Sequence, residues 1–318
     1  MKATAYDIKG MHSVVLTTAE KSILKALAYF EIFHYPLTKE EIGKFLNVLI
    51  TSNDLDESLV SLHDKGMIFI HNDLYSLQNN PFWGYRRKKG NEKAVDLLKK
   101  ANRIGRFLYH FPFVKAVAVS GSLSKDFADE KADIDFFIIT KANRLWIART
   151  IMHLFKKLTF LTGSQHLYCM NFYMDDESLQ IKDQNIFTAT EIKTLLPVCG
   201  TQTINSFYSF NQWTNDWLPN CDFRKQQRKE PAMMLLKKTG EWIFDNRLGY
   251  YIDDILMGIT KRRWEQKKEK GKQNKKGLVM KMVVGKHVAR SNPGSFQEKV
   301  LSVYEEKLAF LNINNEDD

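Results

Sequence analysis

Val114-Lys115-Ala116-Val117-Ala118-Val119-Ser120-Gly121-Ser122 runs from a β-prone apolar segment straight into a Gly-Ser turn, and ten residues separate it from Asp133-Ile134-Asp135-Phe136-Phe137-Ile138-Ile139. The order reads as strand, turn, short helix, strand. Side chains alternate along a strand, so Asp133 and Asp135 project to one face while Ile134 and Phe136 project to the other. Two carboxylates side by side repel, and packing gives no reason to place them at the head of an apolar strand. A hard, oxygen-seeking ion such as Mg²⁺ does require them: a compact anionic pair with open positions for water and phosphate. Gly121 has no Cβ to keep a ligand from the backbone, and amides opening the following helix donate to phosphate oxygens. The Ser122 hydroxyl adds a donor, and Lys125, one turn on, adds a cation. The parts fit phosphoryl chemistry.

Gly121-Ser122, the ten-residue gap and Asp133-x-Asp135 with its apolar continuation resemble the signature of the DNA polymerase β-type nucleotidyltransferase superfamily, over roughly residues 110–195. With the winged-helix-like segment ahead of it, the chain looks like a bacterial branch of that superfamily. The resemblance implies an α/β (α+β) nucleotidyltransferase core. It also implies transfer of a nucleoside monophosphate from a nucleoside triphosphate to an acceptor, assisted by two Mg²⁺ ions or by Mn²⁺ in their place. Gly121 and Ser122 would hold the triphosphate, and Asp133 and Asp135 the metals. The superfamily uses a third carboxylate on a later strand, and here the chain departs from it. The later strand, Leu167 to Met174, offers Asn171 at the polar position, with Asp175 and Asp176 just past its end. Asn171 can ligate a metal through its carbonyl but cannot act as a base. Three readings stand: Asp175 or Asp176 swings in as the third group, Glu191 supplies it, or turnover is weak or lost. The last makes the alternative function a catalytically degenerate nucleotide- or nucleic-acid-binding protein.

Ahead of this core, Thr17-x-x-Glu20 and Thr38-x-x-Glu41 are capping boxes, each opening a helix. Ile23, Leu24, Leu27 and Phe30 line the first helix, Ile42, Phe45 and Leu46 the second, and Leu55, Leu59 and Leu62 a third that ends near Gly66. Met67–Ile70 and Leu74–Leu77 flank the turn-forming Asn72-Asp73 as a two-stranded wing. The third helix carries Asp54, Asp56, Glu57 and Asp64, which suits protein contact better than DNA readout. Residues 91–109 form an amphipathic connecting helix with Val95, Leu98, Ala101, Ile104 and Leu108 at helical spacing.

Beyond the core, Asn143 to Phe160 reads as a helix whose Arg144 and Arg149 are within reach of a nucleotide. Asp183 to Thr190 leads into a further helix with Glu191, Ile192, Leu195 and Leu196, closed by Pro197. Residues 205–260 read as aromatic and helical, with Phe207, Tyr208, Trp213, Trp217, Trp242, Tyr250 and Tyr251 as core. A last helix follows Pro293-Gly294 through a capping box at Ser295-x-x-Glu298. The expected organisation is a winged-helix-like module (1–80), a connecting helix (81–110), the nucleotidyltransferase core (111–200) and a helical C-terminal region (201–318).

The chain has 318 residues, 44% of them hydrophobic and 26% charged, enough for two or three domains of roughly 100–200 residues each. Its net charge of +10 sits in two runs: 261–281 holds ten Lys/Arg against two Glu, net +8, and 85–93 holds five against one, net +4, leaving −2 elsewhere. The first run reads as a solvated connection, and is where nucleic acid would bind. Three cysteines without a C-x-x-C pair argue against a disulfide framework or a cysteine zinc site. Eight histidines without H-x-x-x-H spacing argue against zinc. No P-loop and no Gly-x-Ser-x-Gly elbow occurs. The first twenty residues lack a signal-peptide core, and no apolar run approaches the ~18 residues of a membrane span, so a cytoplasmic protein with no membrane partner is expected.

Overall fold

The computed structural model describes residues 15–130, 132–163, 167–225, 229–232, 235–271, 273, 279, 282–291 and 295–313. Among these, the chain is a mixed α/β structure of eleven α-helices, one six-stranded mixed sheet and a separate hairpin. No helix among the described residues is long and apolar enough to cross a membrane.

The N-terminal part follows its local signals. Both expected capping boxes form, Thr17 with Glu20 on α1 (Thr18–Glu31) and Thr38 with Glu41 on α2 (Lys39–Lys44). A third, beyond the two expected from sequence, pairs Thr51 with Asp54 and opens α3 (Ser52–Asp64). Asn72 and Asp73 both have positive φ, 51° and 61°, the backbone that a two-residue hairpin turn needs, and join β1 (Phe69–His71) to β2 (Leu74–Ser76). Ile23, Leu24, Leu27, Ile42, Leu46, Leu59 and Leu62 form its core.

The connecting helix is longer than expected, and of its expected inward residues Leu98, Ala101, Ile104 and Leu108 pack on the core while Val95 does not. α4 spans Phe82–Leu108, 27 residues, and buries Ala94, Leu97, Ala101, Gly105 and Leu108, leaving Val95 55% exposed. Small residues decide this face, because a Cβ on Gly105 would lie 2.9 Å from Val198 Cγ1. Of the large apolar residues that carry the periodicity signal, Leu108 is buried and Leu98 and Ile104 pack half-buried at the edge of this face. The basic run 85–93 lies inside this helix, and three of its five cations are engaged by other parts of the chain. Buried Arg87 pairs with Glu41 at 2.6 Å, Arg86 with Asp129 at 2.8 Å, and Lys93 Nζ donates to the Asp129 carbonyl.

The main sheet has the order β6-β3-β4-β5-β8-β7. β3 (Val114–Ser120) pairs antiparallel with β4 (Asp135–Thr140), and β4 parallel with β5 (Cys169–Asp175), with α5 (Leu145–Leu158) between them in the chain. Val117, Val119, Phe136 and Ile138 pack toward α4 and α5. Ala116, Ala118, Phe137 and Ile139 face α6 (Ile186–Lys193) and α7 (Thr201–Phe210) on the other side. Both faces are covered, which is why β3 and β4 read as nearly unbroken apolar runs.

Several C-terminal expectations are corrected. Leu196 and Pro197 do not close a helix; they belong to β6 (Leu196–Cys199), paired with β3. A proline is tolerated there because β6 is an edge strand. The C-terminal region is not wholly helical, since β7 (Met282–Val284) and β8 (Val288–Ser291) extend the main sheet beside β5. After α8 (Thr214–Trp217) come α9 (Leu235–Phe244) and α10 (Arg247–Glu269). Of the expected aromatic core, Phe207 and Tyr208 are buried, whereas Trp242 and Tyr251 face solvent. The first part of the run 261–281 completes α10 instead of forming a loose connection; residues 272, 274–278 and 280–281 lie outside the described residues, as do Pro293 and Gly294. The capping box at Ser295 does not form, because Ser295 takes a left-handed backbone (φ 54°). α11 (Phe296–Phe310) nevertheless buries Val300, Tyr304 and Leu308 in the core of α1–α3.

Candidate functional site

The Gly-Ser turn and the aspartates meet at one end of the sheet. Ser120 is the register partner of Asp135, so the turn after β3 and the start of β4 lie side by side. Gly121 has φ 71° and ψ −153°, a backbone region essentially reserved for glycine. A Cβ there would lie 2.8 Å from Asp135 Oδ2. Asp133 precedes β4 and does not form part of it.

Strand parity aims Asp135 at α6, the same face as Phe137. There it meets Glu191. Burial first, then the charges of Asp133 and Glu191, push the Asp135 carboxyl up to about 7. Glu191 Oε1 accepts from Lys125 Nζ at 2.7 Å and Oε2 accepts from the Gly121 amide at 3.3 Å. Lys125 also donates to the Gly121 carbonyl at 3.1 Å. The helix expected after Ser122 is a four-residue 3₁₀ turn, Ser122–Lys125, too short to build a macrodipole. Ser122 itself is exposed at its start.

Asn171 also reaches the site. The β4–β5 register slips between Phe136/Met170 and Phe137/Phe172, leaving Asn171 as the extra residue of a bulge. Bulges re-aim side chains, and here the Asn171 amide donates to Asp135 Oδ1 at 2.5 Å while its carbonyl accepts from Cys169 Sγ at 3.1 Å. Asn171 therefore presents its amide nitrogen to the aspartate, and not a carbonyl to a metal.

The expectation for Asp175 and Asp176 is corrected by the parallel register. Cys169 pairs with Asp135 and Asp175 with Thr140, so Asp175 and Asp176 stand at the opposite end of the strands. Asp176 Oδ1 accepts the Ala142 amide at 2.7 Å. Asp175, Glu177 and His287 place ligand atoms within 4.8 Å of one another. Sequence spacing missed this group because His287 is 112 residues away, on the β7–β8 hairpin. Its Nδ1 lies 2.9 Å from Asp175 Oδ2 and ties that hairpin to β5. Arg144 donates to the Asn246 carbonyl and Arg149 lies over the Trp146 and Tyr173 rings; neither lines the cleft.

The site opens into a cavity of about 290 Å³ whose polar floor includes Ser120, Gly121, Asp135, Asn171 and Glu191. Its walls are aromatic and aliphatic, with Phe137, Phe172, Phe187, Phe207 and Phe296 prominent, and Arg290 at its margin. Another cavity of about 240 Å³, beside α1 and α8, contains none of the motif residues. Glu191 stands among the sequence alternatives for the third carboxylate, but nothing local in the chain signals its partnership with Gly121 and Lys125. Compared with known proteins, the chain matches no family model, no curated protein and no solved structure.

Proposed function

We propose that the chain is a metal-dependent nucleotidyltransferase that moves a nucleoside monophosphate from a nucleoside triphosphate to an acceptor hydroxyl. The observation that carries this reading is the convergence of Asp135 and Glu191 on a glycine turn whose missing Cβ leaves the carboxylates open. The carboxylates of Asp133, Asp135 and Glu191 bring like charge together there, with the Lys125 ammonium beside Glu191, and such a set of oxygen donors fits Mg²⁺ or Mn²⁺.

Asp133, Asp135 and Glu191 would hold the ions; when bound, these supply charge neutralisation between the carboxylates and the phosphates. The Gly121 amide and Lys125 turn from Glu191 to the phosphate oxygens. Ser122, exposed at the turn, adds a hydroxyl donor. Asn171 keeps one Asp135 oxygen fixed. Glu191, released from Lys125, takes the acceptor hydroxyl proton as pyrophosphate leaves. The aromatic walls exclude water from the transfer.

Asn171 at the position where the superfamily carries an acid favours one other reading, nucleotide binding without turnover. The first test is calorimetric titration of the four ribonucleoside triphosphates, with Mg²⁺ and with EDTA, into wild type and an Asp133→Asn/Asp135→Asn double variant. The expected result is Mg²⁺-dependent binding of one triphosphate, lost in the variant. Absence of binding to every triphosphate by folded protein would overturn both readings. Binding without pyrophosphate release in the presence of any acceptor would leave the second.

A further inference from the structure

A different face of the molecule carries chemistry that the cleft does not use. α10 is anchored by its inner side: Ile252 and Leu256 pack against Ile147 and Ala148 of α5, Asp253 Oδ1 accepts the Ile147 amide at 2.9 Å, and Asp254 pairs with Lys286 of the β7–β8 hairpin at 2.6 Å. Its outward side is not polar, as a solvated helix face would be. Leu248, Tyr251, Ile255 and Ile259 follow one another at helical spacing there, the first three 64%, 62% and 60% exposed. On the preceding helix Trp242 is 82% exposed. Arg262 continues the α10 stripe three residues after Ile259, and residues 261–270 hold six Lys/Arg against two Glu, a net +4.

We infer that this face docks on the surface of an anionic lipid bilayer. Single exposed apolar residues need no explanation, but a continuous stripe ending in a cationic cluster does. A bilayer interface uses both halves. Leu248, Ile255 and Ile259 enter the acyl boundary, Trp242 and Tyr251 sit at headgroup level, and the cations of the helix end meet lipid phosphate. A polynucleotide would satisfy the cations and leave the leucine and isoleucines in water. A second copy meeting this face with its own across a two-fold axis would cover the apolar residues but set one segment of net +4 against another. The expected absence of a membrane partner rested on spanning segments, and this mode of attachment needs none.

The test is co-sedimentation of the full chain with extruded vesicles of phosphatidylcholine alone and of phosphatidylcholine mixed with phosphatidylglycerol. Retention on the mixed vesicles only is expected, weakened about fivefold for each cation removed in Arg262→Gln and Arg263→Gln. A Leu248→Ser/Ile255→Ser variant should lose at least tenfold while keeping its thermal melt, because both side chains are exposed. Tryptophan emission should shift to the blue on mixed vesicles, and the shift should shrink in Trp242→Phe. Equal retention on both vesicle types, or on neither, overturns the inference. So does binding of random RNA that survives Leu248→Ser/Ile255→Ser without any vesicle retention, or a dimer in light scattering that this variant abolishes.

Discussion

Lys125 and Glu191 form an ion pair at 2.7 Å across the Gly121 turn, from elements 66 residues apart. In the proposed enzyme this pair occupies the cation that the triphosphate needs. Removing the Glu191 charge should therefore have opposite effects with and without metal. In EDTA, Glu191→Gln should bind the preferred triphosphate about fivefold tighter than wild type, the ~1 kcal/mol typical of a partly exposed pair no longer competing. With Mg²⁺ the ranking should reverse, since a metal ligand is gone. Calorimetry in both buffers checks this, and a variant weaker than wild type in both would place Glu191 outside the phosphate's path.

The Gly121 backbone offers a second prediction. An alanine there must adopt a glycine-only conformation and place its Cβ 2.8 Å from Asp135 Oδ2. Gly121→Ala should lower unfolding stability by about 1–3 kcal/mol in urea titration. It should also abolish triphosphate binding even at temperatures where the variant is fully folded, because the Cβ enters the space between turn and carboxylate. Full binding by a destabilised variant would show that the turn is structural only.

What was legible in the sequence is what short-range chemistry encodes. Thr17 with Glu20 and Thr38 with Glu41 cap their helices because the interaction spans three residues. The adjacency of Gly121 and Asp135 follows from one antiparallel pairing. Features that depend on distant chain were hidden. Glu191 sits on a helix with no local reason to face Lys125, and Asn171 points at Asp135 through a bulge that residue type does not announce. The three-residue strand Met282–Val284 is too short for alternation to register. Much of the inner face of α4 was legible, since Leu98, Ala101, Ile104 and Leu108 do pack on the core; Gly90, Ala94 and Gly105 were hidden because they carry almost no hydrophobic signal, although the glycines let the helix approach its neighbours closely.

That close approach makes Gly90 an unusual helix glycine. In an exposed helix interior, Gly→Ala gains roughly 0.8–1.0 kcal/mol from propensity. Here the new Cβ would lie 2.2 Å from Phe127 Cε2, and Phe127 is buried against the N-terminal core. Gly90→Ala should be destabilising, by about 1–3 kcal/mol for overpacking. A control, Gly258→Ala, has nothing within 4 Å of its Cβ and should show the propensity gain. Urea midpoints of the two variants measured together check the difference in sign.

Asp253 predicts a pH dependence. It accepts the Ile147 amide and serves α5, which has no side-chain cap of its own. Burial is the largest influence on its carboxyl, and pushes it up to about 6 from an ordinary 3.8. A carboxyl raised on folding favours the protonated fold, so this contribution is present in full below pH ~3.8, fades as pH rises through about 6, and is absent at pH 8. The ionised side chain is then a cost of at most about 3 kcal/mol, two pH units at 1.36 kcal/mol each. Asparagine keeps an oxygen to accept the amide and cannot ionise. Asp253→Asn should therefore match wild type near pH 4 and exceed it at pH 8, with the other titrating groups common to both proteins and cancelling in the difference. Paired urea titrations at the two pH values measure it. An offset of equal size at both would mean that the Asp253 carboxyl titrates as it does in the unfolded chain.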